Sequence, residues 1–176
     1  MRRLRNGLLL LLFALIVLSI IGLALPPTFK VTRTVRINNS AAGIYPYLNT
    51  IERWPEWTIL NKSKDATILY SFSGPERGIG GTMTFDGEKL GNGKITIMDS
   101  ERDHSLNFEV KLNEEQVTIH GVILLEPKSS GTDVTITMEG DVGFHLVNRY
   151  VILMTNQVYG PILDETLQNL QSITEQ

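Results

Sequence analysis

LNFEVKLNEEQVTIHGVILLEPKSSGTDVTITMEG, residues Leu106 to Gly140, is the stretch that decides the fold. Leu106, Phe108, Val110 and Leu112 alternate with Asn107, Glu109 and Lys111. Val117, Ile119, Gly121, Ile123 and Leu125 line one face of the next segment, and Val134, Ile136 and Met138 mark a third that ends at Glu139-Gly140. A period of two is that of a half-buried strand. The breaks between segments are short, Lys128-Ser129-Ser130-Gly131 being a turn, so the strands pair antiparallel. A sheet with one apolar face must be covered.

The cover lies downstream. From Leu146 to Ile173 the period becomes three to four: Val147, Tyr150, Met154, Val158, Ile162, then Leu163, Leu167, Leu170 and Ile173. This predicts a long amphipathic helix, kinked or broken at Gly160-Pro161.

Upstream, Ile68, Tyr70 and Phe72 share one strand face, and Met83 and Phe85 another. Ile95 and Ile97 follow Gly91-Asn92-Gly93. The glycine-rich stretch from Ser71 to Gly87 invites a phosphate-loop reading, which fails. Gly78-Ile79-Gly80 has Met83 where a dinucleotide fingerprint needs its third glycine, no Gly-Lys-Ser/Thr follows, and strands rather than a helix flank it. Gly74 to Gly78 suits a reversal between strands, and Gly80-Gly81 a bulge or bend. Before that, Phe29 to Ile37 reads as a strand, Asn38-Asn39-Ser40 offers helix caps, and short helices are expected over Ala41–Leu48 and around Ile51–Trp54, closed by Pro55. The order is strand, two short helices, six strands, long helix. The fold class is α+β: a seven-stranded curved antiparallel sheet wrapped around the C-terminal helix. A twisted sheet cannot close fully on a straight helix, so a pocket is expected between them.

Residues Gly7 to Leu25, with Leu15 near the middle, form nineteen residues without charge. As a helix they reach about 28 Å, near the ~30 Å of a bilayer core. Arg2, Arg3 and Arg5 precede them and Pro26-Pro27 follow. This predicts a single-pass anchor with its N-terminus cytoplasmic and the remainder extracytoplasmic. A cleaved signal peptide is the rival reading, but the run is longer than a usual apolar core and Leu23-Ala24-Leu25-Pro26 is a poor cleavage site. The chain divides into residues 1–27, a basic tip and anchor, and residues 28–176, the folded domain. Without the three arginines the remainder has 13 Lys+Arg against 19 Asp+Glu, a net charge of −6. Its basic residues are scattered, which argues against nucleic acid. There is no cysteine, hence no disulfide and no thiol nucleophile.

Four segments carry a family resemblance: Tyr45-Pro46-Tyr47-Leu48 with Arg53-Trp54-Pro55-Glu56-Trp57; Ser73-Gly74-Pro75 and Gly78-Ile79-Gly80 with Phe85-Asp86-Gly87 and Gly91-Asn92-Gly93; Gly131-Thr132-Asp133-Val134 through Met138-Glu139-Gly140; and Gly160 through Leu170. In their order and spacing the chain resembles the START-like (SRPBCC) helix-grip superfamily, in particular its polyketide cyclase/dehydrase and lipid-transport branch. The resemblance covers nearly everything after residue 28. It implies a hydrophobic cavity for a lipid, a polyketide or another apolar small molecule, and no single chemistry. It implies no cofactor. The anchor is a departure that a freely diffusing carrier does not need.

His104, His120 and His145 are the possible acid–base groups, read respectively as a solvated turn residue, an outward strand residue and a residue near the start of the last helix. No His-Glu-x-x-His spacing points to a metal. Glu114-Glu115 and Asp99 with Glu101 fall in expected turns, Glu139 closes the last strand, and no serine has a motif-based triad. Trp54 and Trp57 either anchor the short helices or line a cavity entrance, and one ring can do both. Arg33 interrupts the apolar side of the first strand; an acidic partner at the pocket end and a frayed strand end are both open. The candidate cavity residues are Trp54, Trp57, Tyr70, Phe72, Met83, Phe85, Phe108 and Met138. The leading expectation is a membrane-tethered binding domain for an apolar small molecule or lipid. The alternatives are a cyclase/dehydrase-type enzyme, which needs inward polar groups, and an interaction domain whose own large side chains fill the core.

Overall fold

A computed structural model describes residues 2–112, 117–141, 149–150 and 154–175, with the side chains of residues 2–5 and 8 outside that description. The chain begins with helix α1 (Arg2–Ala24), then strand β1 (Thr28–Ile37), helix α2 (Ala41–Asn49), a 3-10 turn (Ile51–Arg53) and helix α3 (Trp54–Trp57). Six strands follow: β2 (Leu69–Ser73), β3 (Thr82–Gly87), β4 (Gly91–Glu101), β5 (Ser105–Leu112), β6 (Val117–Lys128) and β7 (Gly131–Asp141). Helix α4 (Thr155–Thr174) ends the fold.

The seven strands form one sheet in the order β1-β7-β6-β5-β4-β3-β2, antiparallel at every pairing. Its inward face is the predicted alternation. Ile95, Ile97, Leu106, Phe108, Ile119, Ile123, Val134 and Ile136 are all buried. The outward face is hydrophilic, with threonine pairs Thr32–Thr137 and Thr34–Thr135 bonded at 3.0 and 2.9 Å. Edge strand β2 lies farthest from α4, and there the alternation loses its meaning: Phe72 is 39% exposed.

Ser40 caps α2, its hydroxyl accepting from Gly43 N at 3.2 Å, as the Asn38-Asn39-Ser40 signal predicts. The glycine-rich connection turns the chain as expected, with Gly74 and Gly78 at φ 78 and 77. It is pinned to α2 by Gly78 N donating to Asn49 O at 2.9 Å. The chain bends at Gly80, whose φ is 87, as expected there, while the β-bulge sits elsewhere. Gly80 and Gly81 both bond Ile97 of β4, and the register shift falls between Ile97 and Asp99, where β4 holds the extra residue Met98 against β5.

Helix α4 differs from its sequence pattern in two ways. It runs unbroken through Gly160-Pro161. Pro161 is on the exposed side of the helix, where the missing backbone N–H faces away from the core. The buried stripe is Gly160, Leu163, Thr166, Leu167, Leu170 and Thr174, whereas Met154 and Val158 are 60% and 50% exposed. Leu146 and Val147 lie outside the described residues.

Helix α4 packs chiefly along β1, at one margin of the sheet, and against α3. Arg33 is what it meets on β1. The guanidinium lies 3.2 Å from Asp164 and donates to Asn156 Oδ1 at 3.0 Å, which places it inside the helix–sheet contact rather than at a frayed end. Gly160 is the helix residue above it, and a Cβ there would strike the Arg33 Nη2 atom.

Helix α1 carries eleven large apolar side chains, from Leu9 to Leu23, that are 47–69% exposed. Its described side chains run unbroken only over residues 9–24, and among the described residues no helix is long and apolar enough to cross a membrane. Arg149 reaches its C-terminal end, Nη1 donating to Leu23 O at 2.9 Å and Leu25 O at 3.1 Å. These are carbonyls that a helix end leaves without intrahelical donors.

Candidate functional site

Helix α4 makes its main contacts with β1, and a space remains between it and the inward side chains of β3 to β6. A cavity of 320 Å³ occupies that space, walled by β3–β7, α3 and α4. Larger depressions on the surface, such as the 570 Å³ one beside Asn38, Lys128 and Thr132, are more open and bordered by a larger share of polar surface. The site is placed in the cavity beneath the sheet because its lining is overwhelmingly apolar and comes from the sheet's inward face.

The sheet carries three glycine–phenylalanine pairs, and two of their rings, Phe85 and Phe108, line the cavity. Across neighbouring strands Phe29 faces Gly140, Phe85 faces Gly93 and Phe108 faces Gly121. In each pair the ring lies over the glycine so closely that a Cβ would collide with it; on Gly93 it would sit 2.7 Å from Phe85 Cζ. Glycine lets the rings fold down against the sheet. With any larger residue beneath, the rings would stand up into the cavity and fill it.

The floor of the wall is aromatic. Trp54 and Trp57 meet at 5.0 Å, and Phe108 meets Trp54 edge-on at 5.1 Å. Both indoles are held by backbone carbonyls of α2: Trp54 Nε1 donates to Leu48 O at 2.8 Å and Trp57 Nε1 to Tyr47 O at 3.2 Å. Each ring is thus an anchor of the short helices and a cavity wall at once.

The rim includes Leu60, Lys89, Leu90, Leu112, Met138 and Tyr159, which line the cavity and keep some exposure. Tyr159 stacks on Phe29 at 5.4 Å, and burial raises its phenol above the usual value, so it stays neutral. Lys89 and Leu90 are set by Asp65. This buried carboxylate accepts from Lys89 N at 2.7 Å, Leu90 N at 3.1 Å and Thr67 N at 3.0 Å, and from the Thr67 hydroxyl. The Thr67 hydroxyl bond is the largest cause holding its pKa well below the carboxylate range, the backbone bonds add to it, and burial opposes them.

Of the predicted cavity residues, Trp54, Trp57, Phe85, Phe108 and Met138 come together in this wall. Tyr70, Phe72 and Met83 do not line it. Tyr70 donates to Leu60 O at 3.0 Å and stacks with Phe72 at the β2 edge, and Met83 is fully buried beside them in β3. Sequence reading missed Ile119, Ile123 and Ile136 as lining residues, although their alternation placed them inward, and it missed Tyr159 and Thr166 on α4. Among the described residues the polar lining consists of Thr58, Lys89, Tyr159 and Thr166, and no described acid or histidine belongs to it. His104 is in the exposed β4–β5 turn, and His120 is exposed on the outer face beside Glu139, which pairs with Lys30 at 2.5 Å. His145 and Glu114-Glu115 lie outside the described residues. Among the described residues no group of His, Asp or Glu is arranged to hold a metal.

No family model and no curated relative matches the chain. Solved structures do. A norcoclaurine synthase from Thalictrum flavum, in complex with a transition-state analogue, superposes with a TM-score of 0.63 at 13% identity, over 84% of this chain and 94% of that one. The chain shares the helix-grip fold. The di-domain aromatase/cyclase StfQ of the steffimycin biosynthetic pathway gives 0.62 at 11% identity, over 84% of this chain and 51% of its own. A protein from Chromobacterium violaceum gives 0.56 at 14%, over 86% and 99%. At such identities the likeness is one of fold, and it agrees with the START-like resemblance of the sequence.

Proposed function

We propose that residues 28–176 bind an apolar small molecule or lipid in the cavity, and that α1 tethers this domain to a membrane. The observation that carries the first part is a 320 Å³ space under the sheet whose wall is almost wholly hydrocarbon, with glycines beneath two of its phenyl rings, Phe85 and Phe108. Pockets that are apolar with a few placed polar groups are the usual form of a small-molecule site. The uncharged run Gly7–Leu25 behind Arg2, Arg3 and Arg5 supports the second part, together with the apolar side chains that α1 exposes. A helix apolar on all sides needs an apolar surrounding. The arginines favour a cytoplasmic N-terminus and an extracytoplasmic domain.

The position of the rim fits tethering. Leu112, Met138 and Tyr159 sit at the end of the sheet where Phe29 pairs with Gly140 and Gly140 with Ile119. That is the end at which the chain arrives from α1, so the mouth is on the anchor's side of the domain. A cyclase-type reaction would need acid–base groups in the wall, and among the described residues the polar lining offers two hydroxyls, a phenol and a rim lysine.

The test is native mass spectrometry of the full chain released from detergent, with uptake of an environment-sensitive apolar dye measured in parallel. Retention of an apolar mass or saturable dye uptake is expected. A cavity that carries nothing and takes up no dye overturns the binding reading. Extraction of membranes with alkaline carbonate tests the tether: the chain stays in the pellet, and its appearance in the supernatant refutes the anchor.

A further inference from the structure

Helix α4 opens with apolar side chains that the core does not take up. Met154, its N-cap, and Val158 are 60% and 50% exposed, and Pro161 is exposed as well. At i, i+4 and i+7 they share one side of the helix, opposite the buried Gly160, Leu163 and Leu167. The ten residues from Met154 to Leu163 carry no charge, whereas Asp164, Glu165 and Glu175 follow. The uncharged part is at the anchor's end of the domain, where Tyr159 stacks on Phe29. The charged part runs to the other end, where Gln171 Nε2 donates to Arg36 O at 3.0 Å.

The residues just ahead of this strip hold α1 itself. Arg149, 7% exposed, donates to Leu23 O and Leu25 O, and the Tyr150 hydroxyl donates to Leu18 O. Leu18 lies six residues before the helix end at Ala24, which is about 9 Å back along the axis at ~1.5 Å per residue. Tyr150 therefore stands beside the anchor rather than at its tip. Interfacial segments sit about 5–10 Å into the boundary of headgroups and acyl chains, and tyrosine is enriched at that level. A bilayer that takes α1 up to its last turn meets Tyr150 as well.

We propose that the start of α4 is a second membrane contact: Tyr150 and the strip of Met154, Val158 and Pro161 lie in the interface of the bilayer that α1 crosses. Exposed apolar side chains gathered on one side of an element mark a contact surface. Here that surface continues the exposed apolar side of α1, to which Arg149 and Tyr150 join it. This inference rests on α1 being a membrane anchor. It adds how the domain stands on the bilayer. Tyr159 and Ile162 line the cavity and lie on the same turns of α4 as the strip, so the mouth opens at the lipid and a ligand passes between bilayer and cavity without crossing water.

The chain has no cysteine, so one substitution places a fluorescent label at one site. Full-length chain labelled with NBD at Met154→Cys, Val158→Cys, Leu15→Cys or Ser129→Cys is reconstituted in phosphatidylcholine vesicles. Leu15 lies in the middle of the apolar run, and Ser129 is exposed in the β6–β7 turn, at the end of the sheet away from α1. Lipids with a nitroxide at a shallow or a central acyl position report membrane contact and its depth, and aqueous iodide reports water. The labels at positions 154 and 158 are expected to be quenched severalfold more by the shallow nitroxide than the label at 129, and severalfold less by iodide. The label at 15 is quenched by the central nitroxide. Iodide access at 154 and 158 equal to that at 129, with the label at 15 still quenched by lipid, overturns the second contact and leaves the tether standing. Protection from iodide without quenching by lipid shows that protein, such as a second copy of the chain, covers the strip, and also overturns it. A label at 15 that no nitroxide lipid quenches overturns the tether itself.

Discussion

Replacing Gly121 with alanine tests how the cavity is kept open. A Cβ on Gly121 would fall on the Cζ, Cε1 and Cε2 atoms of the Phe108 ring, far inside contact distance. The ring cannot stay where it is. Trp54 meets it edge-on at 5.1 Å and is itself buried and bonded to Leu48 O, so the free direction is into the cavity. A phenyl ring standing there takes up to about half of the space, given the ~150 Å³ that a benzene ring needs. Two terms set the stability change. Alanine in a strand gains roughly 0.5–1 kcal/mol over glycine. Overpacking costs about 1–3 kcal/mol. The net expectation is a loss of about 0.5–2 kcal/mol, read as a fall in Tm of about 2–4 °C per kcal/mol in a domain of this size. Apolar dye uptake should fall at least tenfold. Phe108→Leu made in the same chain removes the clashing ring atoms, so the double variant should recover both properties. The coupling between the two sites should reach about 1 kcal/mol or more, in the range measured for residues in contact. A Gly121→Ala protein as stable as wild type, with unchanged dye uptake, would show that the glycine does not hold the ring down and would refute the reasoning.

Further outcomes follow from the rim and from the helix contact. Asp65 has a depressed pKa in the folded chain, so its stabilisation is fully present above the unfolded carboxylate value of about 4 and is lost as pH falls through the lower folded value. Asp65→Asn should therefore flatten the acid limb of a Tm-against-pH curve and loosen the Lys89–Leu90 rim; a variant with an unaltered acid limb would show that Asp65 is not the responsible group. Arg33→Met should cost about 1 kcal/mol or less, because its ion pair with Asp164 is partly exposed. Gly160→Ala should be close to neutral alone, since it displaces the guanidinium from Asn156 and Asp164 while gaining helix propensity. In the Arg33→Met background it should stabilise by about 0.5–1 kcal/mol, and additivity of the two substitutions in urea unfolding would count against their contact. Val110→Phe adds volume to the β5 wall of the cavity and should abolish dye uptake while leaving the chain folded by circular dichroism; undiminished uptake would place the dye elsewhere.

Much of the fold was legible because it depends on local periodicity. The alternation of Leu106 to Leu112, Val117 to Leu125 and Val134 to Met138 identifies strands, and short connections make neighbours antiparallel without knowledge of distant residues. The same pattern places Ile119, Ile123 and Ile136 inward. It cannot say which inward residues border space and which touch other side chains. Tyr70, Phe72 and Met83 look like wall residues by alternation. They lie outside the cavity because β2 and the outer part of β3 are far from α4, a fact of sheet order rather than of strand pattern. Gly160-Pro161 reads as a kink or a break, and the helix does not break there: Pro161 lies on its exposed side and Gly160 sits close over Arg33.

The elements, their order, the apolar face and the uncharged N-terminal run are legible in the chain alone, since each is a short-range pattern of side-chain type. The presence of a cavity and its size follow from how distant strands and α4 come together. Those depend on registers that bring Phe108 over Gly121, Phe85 over Gly93 and Phe29 over Gly140, and on α4 lying along β1 rather than across the middle strands. The Thr58 hydroxyl shows the same division. In the sequence it is one threonine after Trp-Pro-Glu-Trp, and only the fold shows that its hydroxyl is buried without a partner among the described residues.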